Sequence, residues 1–148
     1  MVDNEQPLSA ADLIGRRLLK VTTAFHHYRD DAPSLLHLWL HLEGLGPVRC
    51  HTPSTGVSLL VDEPHGPYSM DECGSVAVVE NASDVPVTRF VGQPVRSVRE
   101  IRYDDGRVDF TAGLTLQFPD GGVRLLGLDD DLIIVLQDRQ PGTGGGLT

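Results

Sequence analysis

Leu13-Ile14-Gly15-Arg16-Arg17-Leu18-Leu19-Lys20-Val21 is answered later in the chain by Phe90-Val91-Gly92-Gln93-Pro94-Val95-Arg96-Ser97-Val98. Both stretches read apolar, apolar, Gly, two polar-tolerant positions, apolar, two variable positions, Val. An alternating strand, a Gly-rich turn and a final apolar run follow each of them. The chain therefore reads as a duplicated β unit.

Working outward, Leu36, Leu38, Leu40 and Leu42 alternate with His37, Trp39, His41 and Glu43. A period of two is that of a strand with one buried face. Leu114, Leu116 and Phe118 repeat the pattern in the second unit. Turns are expected at 43–47 and 119–122, where glycine supplies the backbone freedom that tight hairpins need. Short strands should follow at 48–51 and 123–126, with closing strands at 57–61 and 132–136. Ser9-Ala-Ala-Asp12 has the spacing of a capping box and predicts one short N-terminal helical turn. No longer stretch carries a helical period.

The repeats then span 13–63 and 90–138, joined by a crossover, 64–89, that holds a strand at 75–80. Residues 1–8 and the Gly-rich 139–148 read as tails. The expectation is one all-β, mainly antiparallel domain over 9–138, a small pseudo-twofold barrel or sandwich in which the halves pack on each other. A homodimer paired through open sheet edges is the alternative.

The arrangement resembles small uncharacterised bacterial proteins built from repeated β units with an "apolar-Gly … Val … Asp-Gly-Gly" pattern. Gly15, Val21, Gly92, Val98, Asp120, Gly121 and Gly122 carry the likeness. It implies a binding or immunity-type module and transfers no catalytic residue.

With 21 acidic and 12 basic residues, the 148-residue chain has a formal net charge of −9. That charge disfavours nucleic-acid backbones and anionic membrane surfaces, and it suits a basic protein partner. The arginines at 96, 99, 102 and 107 are interleaved with carboxylates. No apolar run is long enough to span a bilayer, and residues 1–7 lack the apolar core of a signal peptide, so the expected compartment is the cytoplasm. Cys50 and Cys73 have no metal-type spacing and are expected to be reduced and inert.

All six histidines fall between positions 26 and 65. His37 and His41 do not make a zinc pair, because four residues of strand span roughly 13 Å. No metal site, cofactor or catalytic constellation is expected; nucleotide-loop, serine-hydrolase, zinc-protease and Cys-x-x-Cys motifs are all missing. The leading expectation is a non-enzymatic binding protein, an acidic immunity or inhibitor-type module. Its partner- or ligand-binding residues are Trp39, His37, His41, His65, Tyr68, Asp71 and Glu72. Trp39 is its natural anchor, and the alternative for that residue is burial in a second core. One rival function is a small β-barrel enzyme or small-molecule binder using His37, His41, Tyr28 and His65. The other is a structural homo-oligomer subunit.

Overall fold

A computed structural model describes residues 6–52, 56–128 and 131–137. The expected tail 139–148 and the loop residues 54–55 and 129–130 lie outside the described residues. Among the described residues eleven strands form two antiparallel sheets. In chain order these are β1 (Gln6–Pro7), β2 (Leu18–His27), β3 (Ser34–Leu42), β4 (Gly46–His51), β5 (Ser58–Val61), β6 (Tyr68–Ser69), β7 (Ser75–Glu80), β8 (Ser97–Asp104), β9 (Asp109–Phe118), β10 (Gly121–Leu128) and β11 (Asp131–Gln137). The larger sheet runs β1-β5-β4-β3-β2-β7-β6 and the smaller β11-β10-β9-β8. They form an all-β sandwich and do not close into a barrel.

The two echoes meet each other. Gly15 N–H donates to Val95 O (2.7 Å), and Gly92 N–H donates to Leu18 O (2.7 Å). Leu18 N–H reaches Gln93 O (2.9 Å), and Val95 N–H reaches Arg16 O (2.9 Å). Every bond has its counterpart with the repeats exchanged, and Arg17 lies opposite Pro94 at the centre. The signature of the repeat is thus the seam of a pseudo-twofold. Gly15 and Gly92 sit at φ +85° and +97°, a region that costs a residue with a Cβ. From the seam each repeat runs into a four-strand meander, β2 to β5 and β8 to β11.

A single core fills the space between the sheets. Leu18, Val21, Leu38, Leu40, Leu42, Val48 and Leu59 meet Val95, Leu114, Leu116, Phe118, Val123 and Leu125. Phe90 stacks on Phe118 with ring centroids 4.7 Å apart. Leu38, Leu40 and Leu42 of β3 therefore face inward, as the period requires. Leu36, expected on the same face, is 38% exposed, because the β2–β3 register shifts between Ala24 and Phe25 and Leu35 packs against the core instead.

Two details differ from the sequence reading and one agrees with it. Residues 6–8 belong to the sheet: β1 pairs with β5, and Leu8 N–H reaches Leu59 O (3.0 Å). The expected turn is the 3-10 turn Ala10–Leu13, with its Ser9–Asp12 capping box present. Among the described residues two further 3-10 turns occur, Asp71–Cys73 and Pro86–Phe90. The last is the repeat counterpart of the first and starts on Pro86, a residue suited to a helical first position.

Candidate functional site

Because β3 turns Leu38, Leu40 and Leu42 inward, His37, Trp39 and His41 lie on the outer face of the larger sheet. In register with Trp39 stand Thr22 on β2 and Arg49 on β4; in register with His37 stands Ala24. β5, next to the β1 edge of this sheet, and β6, its opposite edge, are joined by residues 62–67, which cross the outer face as a strap. Asp62 starts the strap and is paired with Arg49 (3.3 Å). Its far end is Tyr68.

Beneath the strap the rings gather. His65 lies edge-on to Trp39 (centroids 5.2 Å) and to His37 (5.4 Å), while His37 lies 5.5 Å from Trp39. Tyr68 stands 5.4 Å from His65. Four of the residues read from the sequence therefore converge. Yet Trp39 is 0% exposed and packs in a second core with Ala24, Val76 and Val78. The expectation of an open Trp39 anchor is corrected: the strap and β7 cover it, so the indole reaches no partner in this state.

Polarity inside the cluster is unbalanced. His65 Nδ1 lies 2.9 Å from Gly66 O; a carbonyl only accepts, so Nδ1 carries the proton and Nε2 of the neutral ring is an acceptor. His65 Nε2 and the Trp39 Nε1 donor are both buried without a protein partner. Such groups carry a desolvation cost.

His41 sits one position further along the same face and shares a 2.8 Å hydrogen bond with Thr22 Oγ1. Burial, reinforced by the neighbouring Lys20 ammonium, holds its pKa below the ordinary histidine value. Lys20 itself is paired with Glu80 (2.9 Å). Among the described residues no group of three or more His, Cys, Asp or Glu side chains has the arrangement to hold a metal ion.

Asp71 and Glu72 lie elsewhere, in the 3-10 turn beyond β6. A hydrogen bond from Met70 N–H to Gly74 O (2.7 Å) closes this turn, and His26 Nε2 donates to Cys73 O (2.6 Å). Gly74 at φ +98° packs against the backbone carbonyl of His27, leaving no room for a side chain. The turn is thereby docked beside the β2–β3 connection, which carries Asp30 and Asp31. Asp30, Asp31, Asp71 and Glu72 are all exposed, and their carboxylates have no hydrogen bond or ion pair. Tyr68 and Met70, 45% and 40% exposed, stand on the same margin.

The cysteines are free, Cys50 buried and Cys73 exposed. Burial pushes the Cys50 thiol up to about 12. No hydrogen bond joins His65 to Cys73, and His65 instead belongs to the Trp39 cluster. Sequence reading missed the docking of the acidic turn by His26, the Arg49–Asp62 pair and the role of Thr22. Nothing in local spacing announces them, because all three depend on which strands become neighbours.

No protein-family model, no curated protein and no solved structure matches this chain. Residue roles therefore rest on the geometry alone. Among the described residues no helix is long and apolar enough to cross a membrane.

Proposed function

We propose that this is a non-enzymatic cytoplasmic binding protein that engages a basic protein partner through the β6 margin of its larger sheet. The observation that supports it is the pairing of exposed Tyr68 and Met70 with four uncompensated carboxylates, Asp30, Asp31, Asp71 and Glu72. An aromatic and a methionine supply desolvated contact area, and surrounding charge steers a cationic partner and sets its orientation. The only cation in these turns, Arg29, lies over the Tyr28 ring, 5.0 Å from its centroid. Trp39 and His65 act beneath this surface as supports that fix the strap leading into Tyr68. His37 and His41 belong to the same support. An immunity- or inhibitor-type role is the form of binding that the acidic, duplicated scaffold suits best.

The test is parallel capture by the tagged full chain and by a Tyr68→Ala/Asp71→Lys/Glu72→Lys variant from the cells that make the protein, read by native mass spectrometry. A stoichiometric basic protein held by the parent, released as salt rises and lost in the variant, is the expected result. A partner held equally by both, or a parent recovered only as monomer or homodimer, contradicts the reading.

A further inference from the structure

The outer face of the smaller sheet carries a cross-strand row used by none of the features above. Arg99 on β8 stands opposite Thr115 on β9, which stands opposite Arg124 on β10. Their neighbours Leu114, Leu116, Val123 and Leu125 fill the core, so the alternation of a strand turns these three side chains outward. Gln117 lies in the adjoining row, opposite Gly122. A Cβ at Gly122 would stand 2.7 Å from Gln117 Nε2, so glycine there is what lets the amide lie across β10. This gives the second glycine of Asp120-Gly121-Gly122 a purpose beyond the turn. Arg99, Thr115, Gln117 and Arg124 line a cavity of about 510 Å³.

Both guanidiniums are exposed, and neither has a hydrogen bond or ion pair. That is notable in a chain whose 21 carboxylates outnumber its 12 cations. Glu100 borders the cavity, but its carboxylate accepts from Thr111 Oγ1 (3.1 Å) and from Arg102 (3.4 Å). Asp120, at one end of the face, is held by Gln93 (3.0 Å). Asp104 and Asp105, at the other, are five and six residues from Arg99, roughly 16 Å or more of strand and so beyond a Debye length.

We propose that this face binds a phosphate dianion, either inorganic phosphate or a phosphate monoester, between Arg99 and Arg124 above Thr115. Opposed positions on β8 and β10 are about 10 Å apart, a span that two arginine side chains close from either side. Each guanidinium presents a planar fork of donors that matches two phosphate oxygens. The Thr115 hydroxyl and the Gln117 amide add donors from the floor. Two cations match the charge of a dianion; a carboxylate would leave one of them uncompensated.

The experiment is a titration of the isotope-labelled full chain, followed by backbone amide NMR, with sodium phosphate and separately with phenyl phosphate. Sodium chloride at matched ionic strength and sodium acetate are the controls. Saturable shifts centred on Arg99, Thr115, Gln117 and Arg124 are expected with phosphate. Phenyl phosphate binding more tightly than phosphate identifies the monoester as the ligand; binding more weakly identifies the free ion. Arg99→Gln or Arg124→Gln should each weaken binding by about tenfold, the scale of a lost charge-assisted bond. Both are single changes at exposed positions, so the fold should survive them. The proposal is overturned if chloride reproduces the shifts, if acetate binds as tightly, if neither phosphate saturates, or if both variants bind like the parent.

Discussion

Replacing Trp39 by phenylalanine separates the packing of the indole from the polarity of its nitrogen. Phenylalanine buries roughly 50 Å² less apolar surface than tryptophan, worth about 1.2 kcal/mol at ~25 cal/mol/Å². A residual void of about 35 Å³ adds just under 1 kcal/mol, so packing alone predicts a loss near 2 kcal/mol. Against this, Trp39 Nε1 is buried with no partner, and such a donor costs about 1–3 kcal/mol. That cost leaves with the nitrogen. The two terms nearly cancel, and Trp39→Phe should lie within about 1 kcal/mol of the parent. Trp39→Ala, which loses the packing as well, should cost about 3–5 kcal/mol. Urea unfolding followed by far-ultraviolet circular dichroism measures both, because the change removes the only tryptophan and with it the fluorescence signal. A loss of about 3 kcal/mol for Trp39→Phe, at unchanged m-value, would show that the indole N–H is engaged and would refute the reasoning.

Other consequences can be checked on the same material. A thiol reagent should modify Cys73 alone in the folded protein, since Cys50 is buried with its thiol pushed up to about 12; rapid loss of both thiols would contradict this. His41 has a folded pKa below its unfolded value, so the unfolded chain takes up its proton first. Stability should therefore be full above the unfolded pKa of about 6.5 and fall as pH drops below it. His41→Gln should flatten that part of a plot of urea midpoint against pH, and an unchanged slope would remove His41 as its source. Gly92→Ala meets no atom within 4 Å, so its cost is backbone strain at φ +97°, about 1–2 kcal/mol. Gly15→Ala should cost the same by the symmetry of the seam, and a thermal melt showing either to be neutral would argue against that geometry.

Most of the fold was legible because two periods carry it. The echoed glycines marked the seam, and Leu38, Leu40 and Leu42 marked the core face, while the register shift that turns Leu36 outward left no trace in the alternation. Strands β3, β7 and β11 lie within two residues of where alternation, flanking turn residues and an apolar run, respectively, put them. β1 and β6 were not legible, since two residues are too few for a period and their pairing is set by distant strands. The site was legible in part. His37, Trp39, His65 and Tyr68 do meet, but the sequence did not show that residues 62–67 would fold over Trp39 and cover it. Burial of an outer-face residue depends on where a connection runs. The arginines near 99 looked neutralised by their neighbours for a related reason. In a strand Arg99 and Glu100 point to opposite faces, so adjacency in the chain is not proximity in space.

The most direct test of the central claim is amide hydrogen exchange on the complex with the captured basic partner, compared with the free chain. The account predicts added protection over 68–73 and 28–31, with the outer face of the smaller sheet unchanged. Protection confined to that smaller sheet, or absent from the Tyr68–Glu72 margin, would contradict it.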